Sequence, residues 1–133
     1  MRAAAFLAVL LAVVGAPAAQ AGPYADYSGR ELYTRFCASC HGKAGFGDGP
    51  VAPSLQVLVP DLTRIYRRSG ATFPEERVRR VIDGRHAMPA HGSRYMPVWG
   101  HEFWTEQGAS TAADAEAKRL VDRLVEYLRS IQQ

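Results

Sequence analysis

Cys37-Ala38-Ser39-Cys40-His41 holds both cysteines of the chain, separated by two residues and followed at once by a histidine. That spacing is the pattern for covalent attachment of a c-type haem. Two thiols on one turn of backbone can add to the two vinyl groups on one edge of the macrocycle, and the adjacent imidazole can ligate the iron from the proximal side. One motif implies one haem. Three other chemistries use the same residue types. A thioredoxin-like dithiol sits where a strand meets a helix N-terminus, which lowers the thiol pKa, whereas here a helical pattern precedes the pair. A zinc site could take Cys37, Cys40 and His41 with His86, His91 or His101 as the fourth ligand, although adjacent ligands at 40 and 41 make that geometry awkward. A structural disulfide across so short a loop would be strained and leaves His41 unexplained.

Upstream of the motif, a helix is expected from Gly29 to about Ser39. Ser28 and Glu31 have capping-box spacing, and Leu32, Tyr33 and Phe36 form one apolar face. Further back, Arg2 precedes an apolar run from Ala3 to Ala16, then Pro17 and Ala19-Gln20-Ala21. This is the layout of a secretory signal peptide, with cleavage expected before Gly22. The apolar run is shorter than the roughly 20 residues that span a bilayer. The expected division is therefore a signal peptide over 1–21 and one exported domain over 22–133.

A domain of this size buries a limited core and benefits from a staple such as a cofactor. The formal charge of the whole chain is +3. It drops by one with Arg2, and two haem propionates would bring it near zero. The arginines are scattered rather than gathered in an aromatic-interleaved stripe, so the composition gives no argument for nucleic acid.

Downstream, periodicity stops from Gly42 to Pro60, where glycines and prolines mark a long loop. Such a loop can wrap the proximal side of the haem, and a backbone carbonyl near Pro50 is expected to accept the Nδ1 proton of His41. The Gly-rich run Gly45-Phe46-Gly47-Asp48-Gly49 lacks the lysine-serine pair and strand-helix context of a phosphate loop. Short helices are expected at 62–68, with Asp61 as cap and Gly70 past the end, and at 74–83, where Val78, Val81 and Ile82 can face the core. Arg77, Arg79 and Arg80 read as a solvated face. The last helix is expected from about Ala112 to Ile131, with Thr111 as cap and Leu120, Leu124, Tyr127, Leu128 and Ile131 on one face. No strand signal competes, so the fold class is all-α, about four short helices around one haem.

The segment from Arg85 to Phe103 reads as loop and carries the second group of iron donors. An electron-carrying haem needs a distal ligand, and a thioether raises its potential. Met88-Pro89 and Met96-Pro97 both offer one, His86, His91 and His101 offer imidazoles, and the residues alone leave the choice open.

With these residues in place, the chain resembles the monohaem class I c-type cytochromes over essentially all of the exported part. The matching features are a helix that begins at Gly29 and ends in Cys37 to His41, the Gly49-Pro50 loop, and the aromatic-Leu pair Tyr127-Leu128 on the last helix. Met96-Pro97-Val98-Trp99-Gly100, following His91-Gly92, is similar to the distal motif of a subgroup of periplasmic and oxidoreductase-associated cytochrome c domains. The resemblance implies that the first and last helices cross at Gly29 and that Met96 is the sixth ligand, with Met88 the alternative. It also implies a one-electron carrier in the periplasm rather than an enzyme, with membrane or periplasmic oxidoreductases as redox partners. Arg94 and the Trp99 indole N–H are candidate propionate contacts, against a solvated arginine and a packed tryptophan. A haem enzyme or gas-binding protein with an open or labile distal site, and a dedicated electron-transfer subunit of an oxidoreductase complex, are the other functions in view.

Overall fold

A computed structural model of the chain describes residues 22–85 and 96–133. The proposed leader over 1–21 and the residues His86, Met88, His91 and Arg94 lie outside the described residues. Among the described residues there are six α-helices and no strand: α1 (Gly29–Phe36), α2 (Ala38–His41), α3 (Ile65–Arg68), α4 (Glu75–Asp83), α5 (Trp99–Glu106) and α6 (Thr111–Ser130). Two 3-10 turns, Ala52–Ser54 and Leu62–Arg64, lie in the connections. None of these helices is long and apolar enough to cross a membrane.

The ends of α1 are set locally. Ser28 Oγ accepts from the Glu31 N–H at 3.3 Å and the Glu31 carboxylate accepts from the Ser28 N–H at 2.7 Å, so the capping box forms and satisfies two otherwise free donors. The helix does not run on to Ser39. It breaks at Cys37, whose N–H still bonds to the Tyr33 carbonyl, and a separate turn, α2, carries the rest of the motif. Similarly, α6 is capped by Ser110, whose Oγ accepts from the Ala113 N–H at 3.1 Å, and not by Thr111, which is already inside the helix.

Helix α6 is the spine. Its buried residues are Ala113, Ala117, Leu120, Val121, Leu124, Val125 and Leu128, one continuous stripe at helical spacing. Helices α1, α4 and α5 all pack on it. At the α1–α6 crossing Gly29 lies directly on the α6 backbone, so a Cβ there would stand 2.2 Å from the Arg123 carbonyl oxygen. The rings of Tyr33 and Tyr127 meet one turn further along, 5.1 Å apart.

Helix α5 falls in a segment whose sequence reads as loop. It has no side-chain cap and includes Gly100, and its one start signal is Glu102 in the first turn. Tertiary packing accounts for it: Phe103 is fully buried, with its ring 5.2 Å from that of Phe36 and 6.4 Å from that of Tyr24. In α4, Val78 and Ile82 enter the core as expected, whereas Val81 is 59% exposed. Its surroundings explain the difference, because Val81 faces a cavity rather than the core.

Candidate haem site

That cavity measures about 650 Å3, within the roughly 300–1,000 Å3 common for cofactor sites. Cys37, Cys40, His41 and Met96 all line it. The rest of its wall is mainly apolar, drawn from the 55–60 loop, from α4 through Val78, Val81 and Ile82, and from α6 through Leu124 and Leu128.

The motif is shaped by the break between α1 and α2. His41 and Gly42 donate their N–H groups to the Cys37 and Ala38 carbonyls at 2.9 Å each, closing a single turn. The loop that follows is tied back onto that turn: Gly47 donates to His41, Gly49 to Cys40 and Val51 to Ser39, at 2.9, 3.2 and 3.0 Å. A side chain at 49 would collide with this backbone, at 2.4 Å from the Ser39 oxygen. Tyr33, almost fully buried, donates its hydroxyl to the Gly42 carbonyl at 2.7 Å. Burial holds its phenol above the ordinary value, so it remains a donor.

The partner of His41 is not the backbone near Pro50. Nδ1 lies 3.3 Å from the carbonyl oxygen of Pro60, at the far end of the loop. The Gly49 and Val51 N–H groups bond to α2, their carbonyls accept from Ala52 and Ser54, and Pro50 is exposed at the surface. A carbonyl can only accept, so this bond places the proton on Nδ1 and leaves the Nε2 lone pair for a metal. Burial lowers the His41 pKa, with the Pro60 bond acting in the opposite direction, so the imidazole is neutral and ligand-competent near pH 7.

The two thiols are free and half-buried. Burial, reinforced by Cys40, pushes the Cys37 thiol up to about 12, opposite to the depressed thiol of a dithiol oxidoreductase. Among the described residues no group of three or more His, Cys, Asp or Glu side chains is placed to hold a metal ion. The zinc arrangement of Cys37, Cys40, His41 and His101 is therefore not assembled.

Met96 is half-buried against the core. Two residues separate it from Trp99, the first residue of α5, whose ring packs 5.4 Å from Phe36 and also lines the cavity. Arg68 and Arg77 lie on the cavity wall as well. Both side chains are solvent-exposed, Arg77 as the arginine-rich face of α4 leads one to expect, and the helical pattern does not say that the cavity opens beside that face. Both can offer positive charge to carboxylates on a bound group.

A family model described as cytochrome c oxidase, cbb3-type, subunit III, matches residues 25–128. The chain belongs to that family. Membership gives the chain a class I c-type cytochrome domain, with which the all-helical architecture described above agrees, and a role in electron transfer on covalently bound haem c. No curated protein and no solved structure matches the chain. The residues present fit the group that the family implies: two unpaired thiols and a neutral imidazole open onto one apolar cavity with two arginines on its wall. Cys37 and Cys40 would hold the macrocycle and His41 would ligate the iron, which supplies a one-electron couple when bound.

Proposed function

We propose that the chain is a periplasmic one-electron carrier with a single haem c, exported by a signal peptide over 1–21 and active as residues 22–133. Cys37 and Cys40 form the thioethers, His41 is the proximal ligand and Met96 the distal one. One observation carries this reading: Met96 lines the same apolar cavity as Cys37, Cys40 and His41. Each side chain has a separate task. The thiols fix the ring, Pro60 orients His41 through Nδ1, Met96 fills the sixth position against exogenous ligands, and the apolar wall keeps water from the iron. Arg94 and Trp99 contact the propionates, with Arg68 and Arg77 as further cations on the cavity wall. With both His41 and Met96 bound to it, the iron would keep no position for bond chemistry, which favours a carrier over an enzyme.

The experiment is the optical spectrum of the purified oxidised and reduced protein, repeated for Met96→Ala and Met88→Ala. A sulfur-to-iron charge-transfer band that is lost only in Met96→Ala supports His41/Met96 ligation. A band that survives Met96→Ala, or is missing from the wild type, refutes it. Carbon monoxide binding by the reduced wild type would point instead to an open-site haem enzyme or gas-binding protein. Haem staining after denaturing electrophoresis should persist in the wild type and vanish in the Cys37→Ser/Cys40→Ser variant. N-terminal sequencing of periplasmic protein should begin at Gly22.

The family's name favours one setting for this carrier, as a subunit that passes electrons within an oxidase complex rather than a freely diffusing shuttle. Copurification with oxidase subunits from native membranes tests that reading, and an exclusively monomeric periplasmic pool would contradict it.

A further inference from the structure

Three helices meet at one partly buried charge cluster. Asp83 ends α4, Gly84 turns the chain with φ 65°, and Arg85 folds back so that its guanidinium grips Asp83 twice, Nε to Oδ1 at 2.6 Å and Nη2 to Oδ2 at 3.1 Å. Its Nη1 reaches Asp114 Oδ1, in the first turn of α6, at 2.5 Å. The Arg85 and Asp83 side chains are only 18% and 16% exposed. Gly100, the second residue of α5, is pressed against this pair: a Cβ there would stand 2.0 Å from Asp83 Oδ1 and 2.8 Å from Arg85 Nε. The ion pair thus fills the space a side chain would take. The first turn of α5 rests on it.

Met96 is joined to that turn by Pro97 and Val98 alone, and the proline ring fixes one of the few torsions between them. Whatever sets the position of Gly100 therefore also limits where the Met96 thioether can go. Arg79 supplies an internal comparison. It bridges α4 to α6 through Asp122 at 2.6 Å and also pairs with Glu75 and Glu76, but no glycine of α5 lies against it.

We propose that Asp83, Arg85 and Asp114 position the distal ligand, pinning the first turn of α5 so that the Met96 thioether is held in the cavity. This rests on the reading of Met96 as a ligand. Arg85 is a positioning residue and does not touch the iron. Losing it removes the guanidinium from the Asp83 carboxylate that lies against Gly100, while Asp114 keeps its pairing with Lys118 at 2.7 Å, a penalty between those of exposed and buried pairs.

The test compares holo wild type with Arg85→Met, which keeps the aliphatic stem, and with Arg79→Met. Three quantities are read: the sulfur-to-iron charge-transfer band across a urea series below global unfolding, the rate at which added imidazole displaces the distal ligand, and backbone hydrogen exchange over residues 96–103. The expected result is displacement on the order of tenfold faster in Arg85→Met, loss of the band at lower urea, and faster exchange at the start of α5, with Arg79→Met near wild type in all three. Asp114→Asn, milder in folding, should give a smaller change in the same direction. Equal behaviour of Arg85→Met and Arg79→Met, with the band present in the wild type, overturns the proposal while leaving Met96 ligation intact. A wild type without the band overturns Met96 ligation, and the positioning role falls with it.

Discussion

Substituting Gly29 by alanine tests whether the first and last helices are as close as they look. A methyl group at 29 would lie 2.2 Å from the Arg123 carbonyl oxygen and 2.9 Å from Tyr127 Cβ, the second already about 0.6–1 Å short of ordinary carbon contact distances and the first shorter still. The nearer obstacle is backbone, so no rotamer change removes it and the helices must part. Overpacking of this kind costs about 1–3 kcal/mol. Alanine's advantage over glycine in a helix, about 0.5–1 kcal/mol, offsets part of that. The net loss should be about 0–2.5 kcal/mol, centred on about 1 kcal/mol, which at a urea slope of about 2 kcal/mol/M lowers the midpoint by roughly 0.5 M. Urea titrations of the holo protein, followed by far-ultraviolet circular dichroism and by haem absorbance, measure it directly. Gly29→Val should cost more than Gly29→Ala, since the obstruction grows with volume. An alanine variant as stable as the wild type would refute the argument, because it would mean the crossing has room for a side chain.

The Tyr33 hydroxyl and the Asp61 carboxylate give two further tests. Tyr33→Phe removes the buried donor to the Gly42 carbonyl and should cost about 1–2 kcal/mol in the same titration; an unchanged midpoint would show that the bond contributes nothing net. Asp61 accepts from both the N–H and the hydroxyl of buried Thr63, at 2.8 and 2.6 Å, and Asp61→Ala should cost about 1 kcal/mol at pH 7. The Thr63 hydrogen bonds, more than the nearby arginines, hold the Asp61 carboxyl below its ordinary value. Its charged form therefore contributes fully above the unfolded carboxylate value near about 4 and fades as pH falls through the lowered folded one. The gap between wild type and Asp61→Ala should accordingly narrow in acid, and a gap that widens below pH 4 would contradict the assignment.

What the residues declared in advance was local. The Cys37, Cys40 and His41 constellation is a matter of spacing within five residues, the Ser28-Glu31 box is a matter of three, and the α6 stripe repeats every turn. Each is fixed by covalent geometry and helical period before any long-range contact forms. The resemblance built on those features pointed to the cytochrome c class, and the family match agrees with it.

Contacts between distant segments were not declared. That Pro60 rather than the backbone near Pro50 serves His41, 19 residues away, follows from the Gly49 and Val51 carbonyls being bonded to Ala52 and Ser54 with Pro50 exposed. Helix α5 exists because Phe103 fills a space between Phe36 and Tyr24. Val81 stands exposed because a cavity opens beside it. Arg85 and Asp114 are 29 residues apart and meet through the angle between α4 and α6. The sequence by itself determined which side chains could hold a haem and that α1, α4 and α6 would form around it, because those depend on neighbours along the chain. Only the tertiary structure decided which carbonyl orients His41, which wall faces the cavity and what pins the turn after Met96, because those depend on where the whole chain places segments that share no local rule.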